Sequence, residues 1–245
     1  MFYLNLKNVF TVELEAIPPY NFEFTVRKPA GWYWSTPEEI FEKGVCWSVT
    51  RFNGQLLGLK LSSLGTVQNP LITCTIYSHS KVNDSTKQDL TRMLKRALNA
   101  EEDLKGFYEL SQKDDILQGV VKDLYGMHTI GWPELFPALI LAVSLQMAPM
   151  KRSGQMMDML LANFGDRASF DGKTMRYWPS SQTIANASVE ELMSKAKLGY
   201  RAKNLKAIAT TLTQDFPKHG RTVRIEPRRS KKQTVNPARN RRILS

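Results

Sequence analysis

Near Asp84 the hydrophobic pattern of this 245-residue chain changes period, and that change restricts the folds open to it. Before it, apolar and polar residues alternate, the two-residue repeat of half-buried strands. Tyr20-Asn21-Phe22-Glu23-Phe24-Thr25-Val26 alternates in this way and is predicted as a strand. Val45 to Phe52, Gln55 to Ser62 and Leu71 to Ser78 are predicted as three more. Asn53-Gly54, between two of them, tolerates positive φ at both positions and signals a hairpin. Leu57, Leu59 and Leu61 then share one face, and Trp32, Tyr33, Trp34 and Trp47 are expected in the core of the sheet. Thr36-Pro37-Glu38-Glu39-Ile40-Phe41 is predicted as a short capped turn of helix, with proline at its first position.

After Asp84 the spacing becomes helical. Leu90, Met93, Leu94, Ala97 and Leu98 recur three and four residues apart, which predicts an amphipathic helix. Further helices are predicted over 101–110, 114–124, 133–147, 151–163, 188–195 and 201–214, with Asp103, Ser188 and Asp215 at capping or stop positions. Strands followed by helices imply an α+β fold. The expected organisation is an antiparallel β subdomain over 1–84, a helical subdomain over 85–217 and a tail over 218–245.

The tail differs from the rest in charge. From Lys218 to Ser245 there are ten Lys/Arg, one acid (Glu226) and no aromatic, so nine of the chain's eleven net positive charges lie there. The remainder is close to neutral. The basic pI of 9.6 therefore describes the tail, and a nucleic-acid reading needs support from elsewhere. The tail is too polar to pack and is expected to be disordered.

Several classes are disfavoured. Cys46 and Cys74 do not make a disulfide framework, and His79, His128 and His219 lack metal-ligand spacing, so no metal site is expected. The N-terminus, interrupted by Asn5, Lys7 and Asn8, has no signal-peptide core. The apolar run from Leu135 to Met150 is 16 residues long and broken by prolines, and is predicted as a buried helix. A spanning helix needs about 20 residues.

Five segments, in order, carry a family likeness. They are Pro18-Pro19-Tyr20-Asn21-Phe22, Asp103-Leu104-Lys105-Gly106-Phe107-Tyr108, Tyr125-Gly126-Met127, the helix Leu135 to Met147, and Lys197-Leu198-Gly199-Tyr200-Arg201-Ala202-Lys203. Over about residues 15–217 the chain resembles helix-hairpin-helix DNA glycosylases, in the 3-methyladenine and 8-oxoguanine branches that carry an extra N-terminal β domain. Leu198-Gly199-Tyr200-Arg201-Ala202 is the most specific piece and looks like the 8-oxoguanine branch.

The resemblance implies base-excision repair by base flipping: the damaged purine, oxidised or alkylated, leaves the stack and the enzyme fills the gap. The loop after the Leu135–Met147 helix then inserts from the minor groove. Gln146 can bond the orphaned base and Met147 can fill the space. From the residues alone, Gln146 can equally cap its helix and Met147 pack. Tyr200 matches an aromatic wedge, Arg201 a group reading a base edge or phosphate, and Lys203 a phosphate contact. The Lys151-Arg152 pair has the look of a solvated helix start. The implied partner is double-stranded DNA with a damaged base, bound by a monomer that needs no cofactor and is not secreted, at the nucleoid of a cytoplasm or in a nucleus.

The family's Leu-Pro-Gly-x-Gly hairpin, the lysine of its bifunctional members and its catalytic aspartate have no counterpart after Phe216-Pro217-Lys218. No residue of this sequence inherits the catalytic role. Read one base later, however, the codons open to Glu226 through Ser245 permit a Ser-Pro-Glu-Glu-Ala start and a Leu-Pro-Gly-Ile-Gly turn. The expectation is a frameshift near Lys218 that replaced the catalytic half, which the coding DNA decides. A genuine basic tail that binds nucleic acid without sequence choice stays open beside it.

Overall fold

Two-residue turns shape the β part of the molecule. In the computed structural model, which describes residues 3–27 and 35–214, Lys43-Gly44 and Asn53-Gly54 both have φ near 49° and 78°. These left-handed pairs match the twist of the strands they join. They connect β3 (Ile40–Glu42), β4 (Val45–Phe52) and β5 (Gln55–Ser63), which pair antiparallel. With β2 (Asn8–Glu15) and β6 (Leu71–Ser78) they form a five-stranded sheet in the order β2-β6-β5-β4-β3. The expectations for Trp32, Tyr33, Trp34 and the tail fall outside the described residues.

Both faces of this sheet are covered, because strand alternation sends neighbouring residues to opposite sides. Leu57, Leu59 and Leu61 of β5 and Ile72, Cys74 and Ile76 of β6 are all buried on one side. There they meet Leu90, Leu94, Ala97 and Leu98 of and just beyond α2 (Asp84–Ala97), which Asn83 caps by accepting from the Thr86 N–H. The apolar face of α2 is thus completed by the sheet. On the other side, Val49 and Leu56 join the core of the later helices.

The segment predicted as a strand over Tyr20–Val26 is a short helix, α1 (Phe22–Arg27). Asn21 accepts from the Phe24 N–H at 3.0 Å and starts it. Phe22, Thr25 and Val26, all buried, satisfy helical spacing as well as alternation. Thr36–Glu39 is a hydrogen-bonded turn rather than a helical one; the chain continues directly into β3.

The remaining elements are β1 (Tyr3–Asn5), α3 (Lys105–Ser111), α4 (Asp115–Asp123), α5 (Leu135–Leu145), α6 (Met150–Phe164), β7 (Asp166–Phe170), β8 (Lys173–Tyr177), α7 (Ser181–Asn186), α8 (Val189–Lys195) and α9 (Arg201–Gln214). β1, β7 and β8 make a second sheet, with β1 parallel to β7. Phe170 packs over Gly58 of β5, where an added Cβ would lie 2.5 Å from the ring. Asp171 at the hairpin tip accepts from the Trp47 indole at 2.7 Å and the Tyr77 hydroxyl at 3.1 Å, and pairs with Lys60. Among the described residues no helix is long and apolar enough to cross a membrane.

Candidate nucleic-acid interface

Two helix ends meet at one edge of the helical part. α5 cannot run past Leu145 for long, because Pro149 lacks a donor and drives the preceding Ala148 away from helical geometry. Gln146 is the C-cap, donating its N–H to the Val143 carbonyl at 3.3 Å. Met147 then takes the left-handed region, φ 47°, with its side chain 94% exposed. A large apolar side chain rarely adopts that conformation, and exposed apolar residues at such positions point to function.

The second end is that of α8, which starts in a capping box between Ser188 and Glu191. It stops in a left-handed Lys197, φ 53°, with the Leu198 N–H returning to the Leu192 carbonyl at 3.5 Å. A left-handed residue just past the C-cap ends many helices. Gly199, φ 58°, completes the turn, and α9 begins at Arg201. Leu198, Ala202, Leu205 and Ala209 are fully buried and root the turn in the core. Tyr200 is left 56% exposed.

The structure brings Gln146, Met147, Tyr200 and Arg201 together. Arg201, 8% exposed, donates Nε–H to the Gln146 carbonyl at 3.1 Å and a second N–H to the same oxygen. Its guanidinium lies 4.5 Å from the Tyr200 ring centroid. Arg152 donates to the Lys197 carbonyl at 2.8 Å, so it is not simply a solvated residue at a helix start. Lys203 is exposed on the first turn of α9. Lys151, Arg152, Lys197, Arg201 and Lys203 lie in and beside these turns, whereas Lys195 is paired with Glu191 and Lys206 holds the Ala185 and Ala187 carbonyls. The edge therefore combines exposed apolar and aromatic groups with local positive charge.

A buried polar network behind α5 sets its direction. Glu134, the N-cap residue of α5, accepts from the Arg51 N–H at 3.0 Å and the Tyr177 hydroxyl at 2.8 Å. Arg51 also donates to Asp166 at 2.7 Å and to the Trp178 carbonyl at 3.1 Å. Burial raises the Glu134 carboxyl above its ordinary value, and the Arg51 charge and Tyr177 hydroxyl oppose that rise. Tyr177 is pushed up, mainly by burial. Nothing in the local sequence announces this network, since its four members come from β4, the residue before α5, β7 and β8. A surface groove of about 510 Å³ lined by Ile17, Pro18, Pro19, Asp103, Tyr108 and Gln112, among others, contains none of the predicted site residues.

No protein-family model matches the chain. A stretch of 106 residues, 43% of the chain, is 26% identical to DNA-3-methyladenine glycosylase of Bacillus subtilis. The 3-methyladenine DNA-glycosylase of Archaeoglobus fulgidus superposes with a TM-score of 0.62 over 81% of this chain, at 16% identity. The chain has a DNA-glycosylase fold. An 8-oxoguanine glycosylase/lyase of Clostridium acetobutylicum, solved in its apo form and with double-stranded DNA containing cytosine opposite 8-oxoguanine, gives a TM-score of 0.56 over 86% of this chain at 12% identity. The glycosylase fold is spanned in part: the chain covers 66% of the Archaeoglobus structure and 67% of the apo Clostridium one, and its match covers 35% of the Bacillus protein.

Proposed function

We propose that the chain is a DNA-glycosylase relative of base-excision repair that grips duplex DNA at a damaged purine and holds the lesion out of the stack. The observation that carries this reading is Met147: left-handed, 94% exposed and joined through Gln146 and Arg201 to the Tyr200 turn. Met147 fills the gap left by the displaced nucleotide, and the Gln146 amide faces its orphaned partner. Tyr200 stacks beside it, and Lys203 holds the backbone. Arg201 belongs to the same edge. The 245-residue chain contains no Leu-Pro-Gly-x-Gly hairpin, and it binds without cutting.

Fluorescence anisotropy on matched duplexes tests the grip. The protein is expected to prefer a duplex with an abasic-site analogue over an intact one, and M147A is expected to remove most of that preference. Equal affinity for the two duplexes would sink the reading. A gel assay on 8-oxoguanine and alkylated-purine duplexes tests the absence of cleavage, where product above background refutes it. The concentrated positive charge of residues 218–245 favours a second reading, a non-catalytic binder driven by its tail. Deleting 218–245 then lowers affinity and flattens the salt dependence, whereas the first reading leaves lesion preference intact.

A further inference from the structure

Two arginines cross between the turns that carry Met147 and Tyr200. Arg152, in the first turn of α6 just after the Met147 turn, holds the Lys197 carbonyl at 2.8 Å. Arg201, opening α9 just after the Tyr200 turn, holds the Gln146 carbonyl. We infer that Arg152 and Arg201 are positioning residues that lock the two turns into one rigid edge. The inference rests on the reading of Met147 as the group inserted into DNA.

Both accepting carbonyls lie just past helix C-termini, where backbone oxygens lack intrahelical partners. The partial negative charge of a helix end favours a cation there. Each contact spans from one turn to the other, so neither turn can move without breaking the bond that restrains its neighbour. Arg201 does more, because its plane also lies against the Tyr200 ring. The buried Ser153 hydroxyl donates to the Ser144 carbonyl at 2.9 Å and ties the start of α6 to the end of α5 beneath the loop. Met147, at 94% exposure, has little packing of its own to fix it. Its orientation is imposed from both flanks, and those flanks are held by guanidinium groups.

Amide hydrogen exchange on the full chain tests the lock without DNA. Arg152 is exposed, so R152M removes the donors while keeping the stem and the fold. The expected result is exchange faster by about fivefold at Leu198 and also at Gln146, the hydrogen-bonded amides of the two turns, the loss of one net hydrogen bond, with R152K restoring protection. Faster exchange at Leu198 alone would make Arg152 a local cap and overturn the coupling, as would no change in either turn. In anisotropy, R152M is expected to lower the abasic-to-intact affinity ratio. Equal weakening on both duplexes with a salt slope reduced by about one unit is the signature of a phosphate contact and contradicts positioning. Should the unmodified protein show no abasic preference, the insertion reading fails and the exchange experiment still decides the lock.

Discussion

Met147 separates a functional residue from a structural one. Its side chain is almost wholly in solvent, so M147A should change unfolding free energy by less than about 0.5 kcal/mol. M147G relieves the left-handed strain and is expected to melt no lower than the unmodified protein. Both should lose lesion preference; a large drop in melting temperature would make Met147 a packing residue. Gly58 is the opposite case. Its hydrogen faces the Phe170 ring at a distance no Cβ can occupy. G58A is therefore expected to cost about 1–3 kcal/mol by overpacking, read as a shift in the denaturant midpoint, while lesion preference survives.

Glu134 gives a pH signature. Its folded carboxyl is raised by burial, so the folded state holds the proton more tightly than the unfolded one. That contribution to stability is fully present below the ordinary carboxylate value and is lost as pH rises through the folded one. E134Q keeps an oxygen for the Arg51 N–H and the Tyr177 hydroxyl without the buried charge. As pH rises from the ordinary carboxylate value through the raised folded one, the unmodified protein should lose stability relative to E134Q, measured by melts at a series of pH values. Parallel curves would contradict the assignment.

Among the elements, the start of α9 was legible because Leu205 and Ala209 recur at helical spacing and Gly199 marks the turn before it. α8 was announced by Ser188 and Glu191 three residues apart. α1 was mistaken for a strand because seven residues fit both periods, and Asn21, acting as cap, decided between them. The β7–β8 hairpin went unread although Asp171-Gly172 is a turn pair, since its strands are only five residues long and carry charged Arg167, Lys173 and Arg176. α7 also went unread; its C-terminal carbonyls, at Ala185 and Ala187, are capped by Lys206 from α9, a contact no local pattern encodes. In the candidate site, Gln146, Met147, Tyr200, Arg201 and Lys203 could be named from sequence. The cross-holding role of Arg152 and Arg201 could not, because the groups they grip are backbone carbonyls brought together only by folding.

The α3–α4 pair connects this element scale to the whole molecule. Among the described residues, neither helix contributes to the two hydrophobic cores. Leu110 is 65% and Ile116 79% exposed, and no residue of α4 is buried. On the other helices the exposure is smaller: Leu135 of α5 is half-exposed, while Ile208 and Leu212 of α9 pack partly against the core. Apolar surface of this kind invites association. The double variant L110Q/I116Q is expected to lower binding of a hydrophobic dye without lowering the melting temperature. A dye signal unchanged by the substitutions would place the exposed surface elsewhere.

At the scale of the whole molecule, the sheets and the buried Arg51–Glu134–Asp166 network orient α5, and the end of α5 presents Met147 beside Tyr200. The claim that this edge opens a duplex is tested most directly with 2-aminopurine, whose fluorescence rises on unstacking, placed beside the lesion. The account predicts that the unmodified protein brightens the probe at saturation and that M147A, bound to the same extent, does not. Saturating binding that leaves the probe dark, or an equal rise with M147A, would contradict it.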